Sequence, residues 1–553
     1  MLSTFKTLPS VQKVVQGIKI PFVVSVEPLD DSAKIIDDPN AKIPHCSRCR
    51  SYLSAVCAVS PEAWCCSVCS QIMHLKNPVP EEYHSSKVLE IVEISECQPL
   101  SHSIIAFAPV KEIIRDYLKV LPKNAPLSVI TYTDRLNIIP ISTVYEILSE
   151  FDTIPFPTEI IPFEVAIPNL IIALGKVRDP VWHRVFISSP PPDAVQSPLL
   201  KVLKDLYTIL ARVDFYFLGT SYSLLLSHLA KVSPGISRVF APLNQFELPL
   251  ALNSDANREF AFQMLAAFRC GVAYTSEYIT SPFLAADVKE NFVRIPVLPS
   301  KSAPLSFKII PPTIDGHLRK QAMQCVVKFV NWNPKTNRLS HLHRIISEEF
   351  DISSKLEDVL AGVYPNLLFM QWIREVESLN PGQMVPEIMN RLKEIVPHIN
   401  AAQNLKPIIS MAFIAKSHPA LSTAFWDRLS MCSQLCLSSP KSALAIFSFV
   451  VEVWDRSDNM LFSGLSVDDS KRKKEYVYVL KSFPSVFILT DEGEYPIQPS
   501  SKMEASIKKF QEDCMPIPVR IVQSQIDSLK DLLSVDEEEG LQGFLESVGL
   551  ESL

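Results

Sequence analysis

The 553-residue chain sets 53 Lys and Arg against 60 Asp and Glu, a net charge of −7, with 20% charged and 47% hydrophobic residues. That balance excludes a disordered chain and argues against a surface built throughout to grip nucleic acid or anionic lipid. Its 13 glycines form neither a GxG nor a GxxxxGK[ST], which excludes the Walker nucleotide loop and the dinucleotide fingerprint.

Length alone predicts roughly three to five domains. Met1 to Phe22 is interrupted by Lys6, Lys13 and Lys19 and offers no signal-peptide core. Further on, Ala443 to Val451 is too short to span a bilayer and reads as a buried helix. The chain is therefore expected to be soluble and cytoplasmic. The apolar run from Ile20 to Val26 predicts a strand leading toward the segment that follows.

Six of the 12 cysteines crowd between Cys46 and Cys69. Cys46, Cys49, Cys66 and Cys69 give C-x2-C-x16-C-x2-C, the spacing of a four-thiolate zinc ribbon over residues 45–84. Two thiolates separated by two residues converge on one ion from a single tight turn, and two such turns complete a tetrahedron. Four thiolates leave no open position for water, so one structural Zn2+ is expected rather than a catalytic one. Thiolates would also hold iron in this geometry. Only Cys66 keeps two residues before Cys69, which makes Cys57 and Cys65 bystanders. His45 and His74 flank the ribbon and could each substitute for a thiolate.

Residues 95–245 alternate strands with helices. Ile104–Phe107, Leu127–Tyr132, Val185–Ile187 and Val213–Leu218 read as buried strands, while Val110–Leu121, Leu199–Ala211 and Tyr222–Val232 have helical periodicity. That order predicts a doubly wound α/β trunk. Its first strand ends Ala106-Phe107-Ala108-Pro109, without the Asp-x-Ser-x-Ser of a metal-ion adhesion site. Short alternating segments over 246–334 predict an antiparallel β-sandwich. From 335 to 460 the spacing looks helical, with Leu339, Leu342, Ile345 and Ile346 in one stripe and Leu356, Val359, Leu360 and Val363 in another.

Over 470–553, strands Tyr476–Leu480 and Val486–Leu489 with helices Lys502–Glu512 and Gly540–Leu550 predict a small α+β module. The run Lys471-Arg472-Lys473-Lys474 reads as a solvated linker or as a contact for a partner or lipid. Asp536 to Glu539 suits the start of the following helix through its dipole. No Ser/His/Asp or Cys/His constellation and no HExxH occurs, so the sequence offers no enzyme site.

Taken in order, these modules resemble the inner-coat subunits of the COPII vesicle coat. The resemblance is carried by Cys46-x2-Cys49, Trp64-x-Cys66-x2-Cys69, Asn77-x2-Pro80-x2-Tyr83 and the stretch from Phe487 to Gly493. It implies a multidomain α+β fold: residues 1–44 as an incomplete β-sandwich segment, a von Willebrand A-like trunk, and a gelsolin-like terminal module.

The resemblance also implies transport from the endoplasmic reticulum (ER) to the Golgi. The chain would bind a GTP-loaded Sar-type small GTPase, pair with the second inner-coat subunit, meet outer-coat proteins and lie peripherally on the ER membrane. Arg338 to Val363 and Met515 to Pro518 look more like the GTPase-activating branch than the cargo-adaptor branch. In the activating branch an arginine enters the GTPase site. Its place, before Leu532-Leu533-Ser534, carries Lys530 here, and Arg520 is the nearest arginine. Lysine keeps the charge but loses the planar fork that stabilises phosphoryl-transfer charge. A cargo adaptor that captures export signals is the alternative. A zinc-ribbon nucleic-acid protein is the remote one, disfavoured by the acidic balance.

Overall fold

The computed structural model describes residues 1–417 apart from 19, 30–31, 37, 39–40, 178–179, 192–197, 220–223, 241–246, 258, 272–273, 280–283, 290–291, 301–302, 312–319, 377–380 and 400–401. Beyond these it describes 450–464, 473, 475–482, 485–490, 498, 501–513 and 520–525. The chain divides into two compact units, Met1–Gly362 and Val363–Leu553.

In the first unit the trunk is a six-stranded sheet. Its strands run in the order Leu136–Thr143, Pro126–Tyr132, Ser101–Ala106, Val181–Ser188, Ala211–Leu218, Ser237–Phe240. All pairings are parallel except that of the Leu136–Thr143 edge strand. Val181–Ser188 is buried at every position but the last, His183 and Arg184 included, as suits a strand covered on both faces. Helices Lys111–Leu118, Val144–Ser149 and Glu247–Ala256 share one core with the sheet, built on Ile104, Phe186 and Tyr216. The doubly wound trunk expected from the sequence is present. Its last helix extends past residue 245, where the trunk was expected to end. The helix expected over Leu199–Ala211 stops at Asp205, because the chain must turn before the strand that starts at Ala211.

Two sheets form the sandwich. The smaller runs Leu2–Ser3, Val23–Val26, Leu305–Ile310, Thr275–Ile279. The larger is eight-stranded and built on Phe260–Cys270, Lys320–Asn333, Arg338–Ser353 and Val88–Ile94. Phe268 of one stacks on Phe307 of the other at 4.4 Å. The strand at Val23–Val26 thus pairs with Leu305–Ile310 of the sandwich, not within the ribbon.

The largest departure from expectation is Arg338–Ser353. Leu339, Leu342, Ile345 and Ile346 are not a helical stripe. They lie on a strand paired with Lys320–Asn333 from Asn333↔Arg338 to Lys320↔Asp351. This central strand is buried on both faces, so apolar side chains at adjacent positions fill both layers and imitate a helical spacing. The helical domain expected from residue 335 therefore begins later: a short helix, Leu356–Ala361, closes the first unit.

The second unit opens with helices Pro365–Val376, Pro381–Ile399 and Lys406–Ser417. Arg391 ties two of them together through ion pairs with Glu375 and Glu387. A five-stranded sheet follows, ordered Met460–Gly464, Val450–Trp454, Val477–Ser482, Ser485–Thr490, Arg520–Gln525, with helix Lys502–Asp513. Val450 and Val451 lie on a strand, where the sequence suggested the end of a buried helix. Lys481 is buried in this module and reaches Glu452 Oε1 at 2.5 Å and Ser506 Oγ at 2.6 Å. The strand and helix expected at Val486–Leu489 and Lys502–Glu512 are present. Asp491 to Gly493, Met515 to Pro518, Lys530, the acidic run from Asp536 and the helix expected over 540–550 lie outside the described residues. So do Lys471, Arg472 and Lys474.

Candidate metal centre

Each cysteine pair sits on a tight turn of the same construction. In the first, Arg50 N–H donates to Cys46 O at 3.0 Å and Cys46 N–H to Ser51 O at 2.8 Å. In the second, Ser70 N–H donates to Cys66 O at 2.7 Å and Cys66 N–H to Gln71 O at 2.9 Å. Arg50 and Ser70, each following its second cysteine, both adopt left-handed backbone, with φ of 63° and 59°. Neither residue is glycine, so the fold pays a conformational cost at both positions to wrap the turn around its two sulfurs. Strands Ala58–Val59, Ala63–Cys65 and Ile72–His74 hold the second turn.

The turns bring Cys46, Cys49, Cys66 and Cys69 together, with all four Sγ atoms within 4.8 Å of one another. Across the turns, Cys46 Sγ lies 3.5 Å from Cys69 Sγ and Cys49 Sγ lies 3.5 Å from Cys66 Sγ. Burial pushes the Cys66 thiol far up and the Cys69 thiol up to about 11. Burial opposes ionisation of Cys49 too, yet hydrogen bonds from the Ser51 hydroxyl and backbone bring it down to about 7. Four thiols this close ionise together only around a cation. The donor set is all sulfur and tetrahedral in count, and it fits one structural Zn2+.

Cys57 and Cys65 stand apart from the cluster, and Cys57 Sγ lies 3.5 Å from Ser67 Oγ. Neither His45 nor His74 joins it: His45 Nε2 faces Arg50 Nη1 at 3.3 Å, and His74 ends a strand. The zinc would make no contact with a reacting group. What it supplies is cross-linking of a segment too small to keep a core of its own.

The ribbon does not stand free. Trp64, Val68 and the cysteines share a core with Ile36, Leu89, Ile91, Ala322 and Ile345 of the eight-stranded sheet. Two buried glutamines on the Lys320–Asn333 strand reach one turn each. Gln321 Nε2 donates to Val68 O at 3.3 Å, and Gln324 engages the backbone of Tyr52. The Tyr52 ring meets His343 edge-on at 5.2 Å. Sequence reading found the thiols but not these glutamines, which lie more than 250 residues away.

No protein-family model matches the chain, and no curated protein matches it. Among solved structures, the human COPII-coat protein Sec24c is similar over 99% of this chain and 94% of its own, with a TM-score of 0.78 and 12% identity. The fold resembles that of Sec24c throughout. At that identity the likeness establishes the multidomain α+β fold, with its von Willebrand A-like trunk and four-cysteine ribbon. A von Willebrand factor type A protein from Catenulispora acidiphila matches 61% of this chain and 82% of its own, at TM-score 0.37 and 10% identity. The ArnB paralog VWA2 from Sulfolobus acidocaldarius matches 62% and 88%, at 0.32 and 11%. These two partial likenesses add nothing to the assignment.

Proposed function

We propose that this chain is an inner-layer subunit of a COPII-type vesicle coat, working in transport from the ER to the Golgi. The observation that carries the reading is the likeness to Sec24c across 99% of this chain and 94% of that one, rather than across one common domain. The chain acts as a scaffold. It binds a GTP-loaded Sar-type GTPase, pairs with the second inner-coat subunit, meets outer-coat proteins and rests peripherally on the ER membrane. No helix among the described residues is long and apolar enough to cross a membrane.

Of the two branches, the cargo-adaptor reading is the better supported. The activating reading leaned on Arg338 to Val363, most of which is a sandwich strand, and on Met515 to Pro518, which lies outside the described residues. The whole-chain likeness is to the COPII-coat protein Sec24c, which we take to favour the adaptor branch. Lys530, at the place of the activating arginine, lacks the fork that phosphoryl transfer uses.

Single-turnover GTP hydrolysis by a Sar-type GTPase, with and without the chain, tests this. The adaptor reading expects recruitment to GTPase-loaded liposomes only with the second inner-coat subunit, capture of export-signal peptides, and no acceleration by the chain alone. Acceleration by the chain alone that Lys530→Ala abolishes would establish the activating branch instead. Failure to join the GTPase and partner subunit on liposomes would remove the coat assignment itself.

A further inference from the structure

Three arginines and two aspartates are buried in the trunk. Arg184, Arg212, Arg238, Asp214 and Asp255 are 0, 1, 4, 0 and 1% exposed. Two arginines have carboxylates. Arg212 Nε lies 3.0 Å from both oxygens of Asp214, with Nη2 2.9 Å from Oδ2. Arg238 Nη2 donates to Asp255 Oδ1 at 2.8 Å, and Tyr216 donates to Oδ2 of the same carboxylate at 2.9 Å.

Arg184 has none. Its Nη1 donates to His102 Nδ1 at 3.1 Å, and His102 in turn faces Asn337 Oδ1 through Nε2 at 2.9 Å. Burial, reinforced by the Arg184 charge, keeps that imidazole neutral, with its pKa lowered to about 3. Three arginines face two carboxylates, so one positive charge stays uncompensated.

The unused donors point to what compensates it. Arg184 Nε and Nη2 form the side-on, two-pronged edge of the guanidinium, and neither has a hydrogen-bond partner. The Tyr117 hydroxyl has none either, and its ring lies 4.7 Å from the guanidinium carbon. Trp182 covers the same carbon at 3.6 Å. An aromatic face softens a buried cation but leaves its N–H groups unsatisfied. A water between these donors would accept from them, but it carries no charge, and of the orphaned groups on this face only the Tyr117 hydroxyl oxygen could take one of its two hydrogens. Ser103 and His183, also without partners, sit at strand positions whose side chains alternate to the other face.

We propose that the trunk holds one monovalent anion of halide size against the Nε–Nη2 edge of Arg184, with the Tyr117 hydroxyl as a further donor. One charge matches the excess, and with Arg184 and Tyr117 only 0 and 1% exposed a small spherical ion is favoured over an oxyanion. The site lies beside Trp182, which shares a core with Phe260, Val297 and Trp332 of the sandwich. The anion thereby fixes the joint between trunk and sandwich.

The test uses the full chain melted at constant ionic strength while chloride replaces gluconate. The melting temperature should rise by a few degrees with chloride, following one-site linkage. Arg184→Met should flatten that dependence and Tyr117→Phe should weaken it. A crystal grown in bromide should show an anomalous peak within hydrogen-bond reach of Arg184 Nη2. A chloride-independent melt of the unaltered chain, with a light atom and no anomalous signal at that place, would mean ordered water and would overturn the proposal. Should Arg184→Met fail to fold, Tyr117→Phe and the bromide crystal still decide it.

Discussion

Gln324 grips both backbone groups of Tyr52: its Oε1 accepts the Tyr52 N–H at 2.6 Å, and its Nε2 donates to the Tyr52 carbonyl at 2.9 Å. A side-chain amide here does the work of a neighbouring strand, and the same Nε2 also reaches Ser347 Oγ at 3.0 Å. Gln324→Leu keeps the volume but strands a backbone donor and acceptor. Unfolding should become easier by about 2 kcal/mol, and amide exchange at Tyr52 should quicken while one equivalent of zinc remains bound. Unchanged exchange at Tyr52 would show that the apolar core beneath the ribbon suffices to dock it.

The zinc assignment separates neighbouring cysteines. Cys66→Ala removes a ligand, so the purified chain should lose its zinc and the exchange protection of residues 45–84. Cys65→Ala changes a residue outside the thiol cluster and should keep both. Metal analysis with exchange mass spectrometry reads the difference. Equal zinc loss in the two variants would mean that the second turn can shift its register by one residue.

The ribbon was legible because its ligands lie close in sequence and follow a spacing that metal geometry dictates. The trunk strands were legible for a similar reason: they are apolar runs bounded by turns. What was not legible depends on distant partners. Arg338–Ser353 looked helical because a strand buried on both faces loses its alternation. Val88–Ile94 fell between two expected domains although it pairs with that strand, where Glu90 forms a buried ion pair with Arg344. Nothing local marks Gln324 as a dock or Arg184 as a cation without a carboxylate. Those roles exist only once strands far apart in sequence lie side by side.

In the terminal module, Glu452 is held by Lys481, by Ser506 and by Trp454 Nε1 at 3.1 Å. Glu452 and Lys481 are both nearly closed to solvent. Lys481→Met leaves a buried carboxylate without its cation and should cost about 3–5 kcal/mol in denaturant unfolding of this unit. Replacing both, with Glu452→Leu and Lys481→Met, should recover most of that loss. A double variant no better than the single one would show that the pair is needed to seat the Lys502–Asp513 helix through Ser506.

Acid should weaken the trunk through His183. It is fully buried with no hydrogen-bond partner at either ring nitrogen, and burial alone lowers its pKa from 6.5 to about 3. Above pH 6.5 neither the folded nor the unfolded state binds a proton there, so this group adds no pH dependence. Below it the unfolded chain takes up a proton that the folded trunk refuses until about pH 3. Stability therefore falls across that window by about 1.4 kcal/mol per pH unit for each such histidine, and His102 acts in the same direction. His183→Asn should be less stable at pH 7.5 because it leaves a gap in the sheet's packing. Between pH 6.5 and 5 its urea midpoint should nevertheless fall less steeply than that of the unaltered chain. Parallel slopes would mean that the trunk opens to let His183 protonate before it unfolds.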